Sequence, residues 1–371
     1  MKKILFLINT LKGGGAEKVL LDLVNSLSYD KYDVTLETID DIGVYQNQID
    51  SHVHYKSINK KKGPFKRVFN TLLVHFFSAK HVYNKYVKGD YDIEVAFLEG
   101  LPTKIISSST NEKAKKIAWV HIDLMDSFGS NAVYKNYSAH KKAYEKFDKI
   151  ACVSDAVKDK FIERFGDMNG KLKTVYNILL DEKIKEKGRE SLEDIPHDYP
   201  IVVSCGRFCE QKGFDRLLRI HKKLIDEGIK HYLWLVGDGT LRPQFESYIS
   251  ANNLQDTAVL WGFQSNPYKY MKNADLFVCS SVAEGFSMVV SEACILGTPV
   301  IATDVAGVSE PKEHPRCYKI TKNDEDSLYS AVKEILTNTE ELKKAKAYTA
   351  SASQYFKKEV LLESIVNFLG V

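Results

Sequence analysis

Residues 284–292 read Glu-Gly-Phe-Ser-Met-Val-Val-Ser-Glu, with two glutamates eight positions apart. Upstream, residues 274–281 form a short apolar run closed by two serines, which predicts a strand. Downstream, residues 288–296 are largely apolar and stop at Gly297, which predicts a helix. The segment is therefore a strand, a turn that carries Glu284, and a helix whose N-terminus favours phosphate.

The two glutamates of this segment, Glu284 and Glu292, can face one cleft. At about 100° per residue, the helix brings Glu292 back to within about 80° of the direction of Glu284. The alternative is a pair of solvated glutamates on a surface helix, which is a common arrangement. The choice between these interpretations depends on the rest of the chain.

Length and composition describe a globular protein with room for two domains. The chain has 371 residues, of which 44% are hydrophobic and 27% charged, enough for two full cores. The sequence has no apolar run of about 18 residues, so no transmembrane helix is predicted. The apolar start, residues 4–8, is too short for a signal peptide and runs into Asn9 and a glycine-rich loop, so we expect a first strand there.

Cysteine usage and charge bear on compartment and partners. The six cysteines include no CxxC pair, which favours free thiols in a reducing cytoplasm over a metal site.

The charge differs between the two halves of the chain. Residues 1–178 hold 28 Lys and Arg against 21 Asp and Glu, whereas residues 179–371 hold 24 Lys and Arg against 28 Asp and Glu. The basic first half suggests an anionic surface or an anionic substrate on that side.

Strand and helix patterns alternate through both halves of the chain. We expect an α/β protein of two Rossmann-like, doubly wound domains facing across a cleft, with a charged link over 181–200 and a helical tail over 340–368. In such sheets ligands collect at the C-terminal strand ends, where residues 13–17, Glu99 and His121 fall. The predicted strands are 4–8, 34–39, 93–98, 117–120, 150–153, 174–176, 201–206, 232–236, 259–261, 274–281 and 299–302.

Residues 60–88 form a basic stretch with an apolar helical stripe. A helix of this kind can lie in an anionic membrane interface. An ordinary surface helix that buries the stripe in its own domain explains the pattern equally well, and both interpretations stay open. The stripe consists of Phe65, Val68, Phe69, Leu72, Leu73, Phe76 and Phe77.

Two cations follow the predicted strand 201–206. Arg207 and Lys212 lie five positions apart at its C-terminal end, where they can clamp a diphosphate and stabilise it as a leaving group. A solvated basic loop is the alternative. The solvated-loop alternative is less favoured, because Glu284 and Glu292 follow an adjacent strand and would lie near these cations.

Glycines mark two further candidate loops. Residues 13–15, Gly-Gly-Gly, precede a helix and can cradle an anion. Their spacing is not the GxGxxG dinucleotide pattern, which argues against NAD. Residues 237–239, Gly-Asp-Gly, permit close approach of the backbone to a ligand, or are plain turn chemistry.

Taken together, the motifs resemble a retaining glycosyltransferase of the GT-B fold, family 4 type, as found in bacterial surface-polysaccharide synthesis. The resemblance covers nearly all of the second domain in the correct order and the first domain more thinly. The chain departs from the family at Ser287, where glycine is common, and at Cys209-Glu210. The motifs that carry the resemblance are Gly14-Gly15-Ala16-Glu17, Gly206-Arg207-Phe208, Gln211-Lys212-Gly213-Phe214-Asp215, Gly237-Asp238-Gly239, Gly262-Phe263, Asn266-Pro267-Tyr268, residues 274–281, and Glu284 through Glu292-Ala293.

The resemblance implies roles for individual residues. Glu284 would lie beside the transferred sugar, Arg207 and Lys212 would bind the diphosphate, His121 would lie close to the sugar, and Glu292 would hold the ribose hydroxyls. No metal or other cofactor is expected, because fixed cations replace Mg²⁺ and no DxD-like motif stands at a strand end. The further donor contacts implied are Gly14, Gly15, Gly237, Phe286, Ser287, Met288 and Val289.

The resemblance also implies domains and substrates. Residues 1–178 would form the acceptor-side domain, 179–350 the donor-nucleotide domain, and 351–371 a helix that packs back on the first domain. The implied reaction moves a hexose or N-acetylhexosamine from a UDP-sugar to a lipid-linked or oligosaccharide acceptor, with no nucleic-acid partner. We expect a cytoplasmic protein, with peripheral membrane contact through 60–88 under the membrane interpretation. Two alternatives stay open: a GT-B nucleotide-sugar 2-epimerase and a catalytically silent subunit of a transferase pair.

Overall fold

The protein is described by a computed structural model that covers residues 1–61, 71, 77–124, 132–193, 198–312 and 315–370. The chain divides into two compact units. Unit 1 comprises Met1–Ile178 and Leu361–Val371, and unit 2 comprises Leu179–Val360. Each unit contains one parallel sheet with helices between its strands.

The sheet of unit 1 has seven parallel strands in the order β3-β2-β1-β4-β5-β6-β7. The strand order reverses beside β1, so the loops after β1 and β4 emerge at a switch point where ligands commonly bind. The strands are β1 (Lys2–Ile8), β2 (Tyr32–Asp40), β3 (His54–Asn59), β4 (Ile93–Ala96), β5 (Lys115–Val120), β6 (Lys149–Cys152) and β7 (Leu172–Thr174). The helices are α1 (Gly15–Ser26), α2 (Ala79–Tyr86), α3 (Leu101–Ile106), α4 (Tyr137–Glu145) and α5 (Asp155–Phe165).

The sheet of unit 2 has six parallel strands in the order β10-β9-β8-β11-β12-β13. Its switch point lies between β8 and β11, which places the loops after these two strands side by side. The strands are β8 (Ile201–Cys205), β9 (Tyr232–Val236), β10 (Ala258–Gly262), β11 (Leu276–Cys279), β12 (Val300–Thr303) and β13 (Lys319–Thr321). The helices are α6 (Asp181–Gly188), α7 (Phe214–Asp226), α8 (Arg242–Ala251), α9 (Tyr268–Lys272), α10 (Met288–Leu296), α11 (Glu325–Thr337) and α12 (Thr339–Ala352).

The last helix, α13 (Lys358–Leu369), joins unit 1 through its apolar face. The ring of Phe368 is buried, with its centroid 6.0 Å from that of Trp119 on β5. The ammonium of Lys149 lies 5.1 Å from the centroid of the same ring. The expectation of a wholly helical tail is wrong at Lys357, whose extended backbone separates α13 from the helical residues before it.

Four elements differ from the sequence expectations. The predicted strand 174–176 shares only Thr174 with β7, which ends there. Strand β3 was not predicted, because it lies at a sheet edge and four of its six residues are exposed or half-buried. Strand β13 is likewise a short edge strand. The predicted link over 181–200 is wrong at its start, since α6 is a helix that buries Ile184.

Two sequence expectations concern membranes and cysteines. Within the described ranges, no helix is long and apolar enough to span a bilayer. All six cysteines are free. The apolar stripe from Phe65 to Phe76 lies outside the described residues, so the membrane interpretation of 60–88 stays a prediction.

Candidate active site

The loops after β8 and β11 are joined by hydrogen bonds between their backbones and side chains. The Val282 amide donates to the Gln211 carbonyl oxygen at 2.8 Å, and Gln211 Nε2 donates to the Ala283 carbonyl oxygen at 2.9 Å. Ser280 Oγ donates to the Lys212 carbonyl oxygen at 2.9 Å. These bonds hold the predicted cation loop and the predicted glutamate turn together as one frame.

A buried arginine on α7, Arg216, donates hydrogen bonds to the backbone of this frame. Arg216 Nε donates to the Ser280 carbonyl oxygen at 2.7 Å, and Arg216 Nη2 donates to that of Ser281 at 2.6 Å. Arg216 Nη1 reaches Asn323 Oδ1 at 2.9 Å. The end of β11 is therefore fixed by a side chain that sequence reasoning missed, because its partners are mostly backbone carbonyls.

Lys212 and Glu284 form an ion pair within the frame. Lys212 Nζ lies 2.7 Å from Glu284 Oε1, and Ser281 Oγ donates to the same oxygen at 2.6 Å. The side chains are 20% and 8% exposed, so water screens the pair only weakly. Burial acts to lower the pKa of Lys212, but the Glu284 carboxylate outweighs it, and the net pKa is raised. Lys212 is therefore a cation at neutral pH.

The second predicted carboxylate, Glu292, lies on α10 and is half-buried. Tyr268 Oη donates to Glu292 Oε1 at 3.1 Å, which orients the carboxylate. Burial raises the pKa of the neighbouring Cys205 thiol, and the negative charge of Glu292 raises it further. Glu292 thus lies near the carboxyl end of β8, the strand that precedes Arg207.

Arg207 is exposed, and its guanidinium has no hydrogen bond or ion pair to any residue of the described ranges. The backbone of the next residue is nevertheless held by two hydrogen bonds. The Phe208 amide donates to the Asp238 carbonyl oxygen at 2.9 Å, and the Leu241 amide donates to that of Phe208 at 3.1 Å. Arg207 is therefore a cation on a fixed loop beside Lys212.

Glycines allow the loops after β8 and β9 to pack backbone against backbone. At Gly237, where φ is +140°, a Cβ would collide with the Gly206 carbonyl oxygen. At Gly239 it would collide with the Phe208 carbonyl oxygen. The close approach that the glycines permit is therefore to another loop of the protein. The donor contact expected of Gly237 stays a prediction.

The turn before α10 presents the N-terminus of that helix. Ser287 is its N-cap residue and makes no side-chain capping bond. Its side chain is buried, with Oγ 4.0 Å from the sulfur of Cys279. The serine that departs from the family pattern is therefore packed inward. Phe286, Met288 and Val289 occupy the same helix start, as the sequence pattern indicated.

In unit 1, His121 follows β5 and a buried glutamate holds its turn. The Glu99 carboxylate accepts hydrogen bonds from the amides of His121 and Ile122. Burial raises the pKa of Glu99 to about 7. Burial also lowers the pKa of His121 to about 3, although a hydrogen bond with the Phe97 backbone acts to raise it. His121 is therefore neutral, and within the described ranges its Nε2 has no hydrogen-bond partner.

The glycine loop of unit 1 is closed by Glu17. The Glu17 carboxylate accepts from the Gly14 amide and from Thr10 Oγ1, the latter at 2.7 Å. A Cβ at Gly14 would collide with that carboxylate, whereas one at Gly15 would meet nothing within 4 Å. Glu17 therefore shapes the loop that the sequence assigned to an anion.

No group of three or more His, Cys, Asp or Glu side chains suited to a metal ion occurs in the parts of the chain that the structure describes. The expectation of a metal-free site stays a prediction.

Comparison with known families and proteins places the geometry in context. Residues 186–352 match the family model described as glycosyl transferases group 1. An uncharacterised glycosyltransferase of Methanocaldococcus jannaschii is 33% identical over 209 residues, which cover 55% of this chain and 51% of that protein. The match thus spans about half the length of that relative.

A second relative matches from end to end. It is the N-acetylgalactosamine-N,N'-diacetylbacillosaminyl-diphospho-undecaprenol 4-alpha-N-acetylgalactosaminyltransferase of Campylobacter jejuni. The two proteins are 26% identical over 378 residues, which cover 100% of each chain.

Solved structures show the fold. HepE of Anabaena, determined with UDP, has a TM-score of 0.74 at 20% identity and covers 100% of both chains. Sucrose-phosphate synthase of Thermosynechococcus elongatus has a TM-score of 0.75 at 18% identity and covers 99% of this chain and 98% of its own. The predicted fold, with two Rossmann-like α/β domains of the GT-B type, is confirmed.

Proposed function

We propose that this chain, which has the GT-B fold and resembles family 4 glycosyltransferases, is a glycosyltransferase that moves a hexose or N-acetylhexosamine from a nucleotide-diphosphate sugar with retention of configuration. The observation that carries this proposal is the arrangement of Lys212, Glu284 and the start of α10 on one hydrogen-bonded frame, with Arg207 beside them. Two cations and a helix N-terminus meet there, a combination suited to a diphosphate.

The cations would stabilise the leaving group. Breaking the bond between sugar and phosphate builds negative charge on the diphosphate, and fixed donors aimed at that charge lower the barrier. Arg207 is proposed to bind the diphosphate directly, since its guanidinium has no partner in the described ranges. Lys212 is proposed to share its ammonium between Glu284 and a phosphate oxygen.

The two carboxylates would serve different parts of the donor. Glu292, oriented by Tyr268, is proposed to accept hydrogen bonds from the ribose hydroxyls. Glu284 is proposed to position the sugar, because its charge is already engaged by Lys212 and Ser281. The acceptor would then attack on the face that the leaving phosphate occupies, and that phosphate would take the acceptor proton.

The remaining contacts rest on the family resemblance. His121, Gly14 and Gly15 are proposed to contact the donor, and Gly237 and residues 286–289 to line its diphosphate. We also propose that Phe263 stacks on the nucleobase. Its ring is 79% exposed directly after β10, where burial does not explain an aromatic residue.

Donor and acceptor are proposed from the relatives. HepE was solved with UDP, and the name of the Campylobacter relative specifies a diphospho-undecaprenol-linked acceptor. We propose a UDP-sugar donor, a lipid-linked saccharide acceptor, a metal-free reaction and peripheral contact with the inner face of the membrane.

The test is a donor screen that measures release of nucleoside diphosphate with a pooled set of lipid-linked acceptors. We expect release with one donor and loss of donor binding in Glu292→Ala, while the control Glu246→Ala on the exposed face of α8 behaves as wild type. Absence of release with every donor would contradict the proposal. So would NMR detection of an isomerised sugar without acceptor, the result that a 2-epimerase gives.

A further inference from the structure

Unit 2 contains a completely buried arginine directly behind the turn that leads into α10. Arg316 is 0% exposed and stands just before β13, in a segment without any recognised motif. Among the described residues, its guanidinium forms no salt bridge. Burial lowers the pKa of Arg316, and the buried Glu310 is a lesser, opposing influence. Its charge is therefore not neutralised by a direct ion pair there.

The guanidinium joins two backbone segments. Its Nη1 donates to the Ser287 carbonyl oxygen at 2.9 Å and to Ser291 Oγ at 2.6 Å. Its Nη2 donates to the carbonyl oxygens of Gly307 and Val308, the latter at 3.2 Å. Arg316 thus fixes the first turn of α10 to the loop after β12.

The same guanidinium packs against the side chain that opens the turn. Its central carbon lies 4.2 Å from the centroid of the Phe286 ring, a cation–π contact. On the other side of the turn, a Cβ at Gly307 would collide with the Gly285 carbonyl oxygen, so the two backbones touch. The turn over 285–287 is therefore held by Arg316 and by the loop after β12.

The position of this charge is electrostatically unfavourable for the protein alone. A helix N-terminus carries partial positive charge, and cations are favoured at the opposite end. A buried cation without a direct counter-ion adds a desolvation cost. An anion bound at the N-terminus of α10 would be attracted by both positive charges and would offset the cost.

We propose that Arg316 is a positioning residue of the diphosphate site, which holds the 285–287 turn in register and adds positive charge behind the N-terminus of α10. This inference rests on the proposed function of that site. It predicts a specific loss of affinity for the diphosphate part of the donor.

The experiment compares UDP with uridine, or the matching pair for the base that the donor screen selects, by calorimetry on the full chain. In Arg316→Met we expect affinity for the diphosphate to fall about tenfold, as for a lost charge-assisted contact, and affinity for the nucleoside to stay within twofold. Arg316→Lys keeps the positive charge but lacks the planar guanidinium with its several donors, so it should regain part of the lost diphosphate affinity. In turnover, KM for the donor should rise more than kcat falls.

Arg219→Met is the matched control, because Arg219 is an exposed arginine of the same unit whose partners are Asp215 and Glu325. It should bind both probes as wild type does. Unchanged diphosphate affinity in Arg316→Met, or equal weakening of both probes, would overturn the inference. If Arg316→Met does not fold, Ser291→Ala removes one acceptor of Arg316 and should weaken diphosphate binding about threefold, and no effect there would also overturn it. A wild-type protein that binds no nucleoside diphosphate would instead refute the proposed function.

Discussion

Lys212 Nζ lies 2.7 Å from Glu284 Oε1, although the two residues are 72 positions apart in the sequence. The contact exists because β8 and β11 are adjacent in the sheet and each residue lies in the loop that follows its strand. A bound diphosphate would share the ammonium of Lys212 with this carboxylate. Under the proposed function, the pair would therefore link substrate binding to the stability of unit 2.

The first prediction concerns this ion pair. Lys212→Met leaves the Glu284 carboxylate buried without its cation, so we expect a loss of about 3 kcal/mol in the free energy of unfolding. The double variant Lys212→Met/Glu284→Leu should be destabilised by less than the sum of its single variants. Urea unfolding of the three proteins measures the coupling. Additive effects would show that the pair contributes no interaction energy.

A second prediction tests the ribose contact of Glu292. If its carboxylate accepts from a ribose hydroxyl, 2'-deoxy-UDP should bind wild type about tenfold more weakly than UDP. In Glu292→Gln this difference should shrink, because the amide accepts more weakly than a carboxylate. Competition against the donor measures the dissociation constants of UDP and 2'-deoxy-UDP for each protein. If wild type and Glu292→Gln prefer UDP over 2'-deoxy-UDP by the same factor, Glu292 does not contact the ribose hydroxyl.

The third prediction concerns a buried histidine pair in unit 2. His221 Nδ1 lies 2.8 Å from His231 Nε2, and His231 Nδ1 lies 2.9 Å from the Ile229 carbonyl oxygen. Because a carbonyl only accepts, His231 Nδ1 carries the proton and its Nε2 accepts from His221. A proton added at His231 Nε2 would set two N–H groups against each other.

Burial lowers the pKa of His221 to about 3, with a smaller effect of His231, and burial also lowers the pKa of His231. Both folded values lie below the unfolded value of about 6.5. Their stabilising contribution is therefore complete above about pH 6.5 and is lost as the pH falls toward about 3. We expect wild type to lose about 2 kcal/mol more than His221→Leu/His231→Leu between pH 7 and pH 5. If urea unfolding gives the same change in unfolding free energy with pH for wild type and the double variant, the prediction is contradicted.

A fourth prediction concerns Glu99. Burial raises its pKa to about 7, above the ordinary glutamate value. The folded state then holds this proton more tightly than the unfolded state, so stability should decline as the pH rises from about 4.5 to about 7. Glu99→Gln keeps an acceptor oxygen for the amides of His121 and Ile122 but removes the titration. Its unfolding free energy should therefore depend less on pH over that interval than that of wild type, and an unchanged slope would count against the assignment.

Much of the fold was predictable from the order of the strands and their boundaries. The helix over Met288–Leu296 has the predicted bounds, because an apolar run, a glycine stop and a preceding turn are all local signals. The GT-B fold is confirmed, and residues 186–352 match the model of glycosyl transferases group 1. The motifs behind this resemblance could be recognised in the sequence because they are contiguous segments at strand ends. Membership of family 4 stays a prediction. The edge strand His54–Asn59 was missed, because an edge position does not require an apolar run.

The sequence by itself determined the alternation of strands and helices. It placed Arg207, Lys212 and Glu284 at the carboxyl ends of neighbouring strands, and Glu292 on the helix that follows Glu284. These are properties of local pattern and of parallel sheets in general. Only the tertiary structure decided that Lys212 pairs with Glu284, and that Arg216 and Arg316 hold the turns of the site from behind. The arginine contacts go mostly to backbone carbonyls, which every residue possesses, so no pattern of side chains along the chain can reveal them.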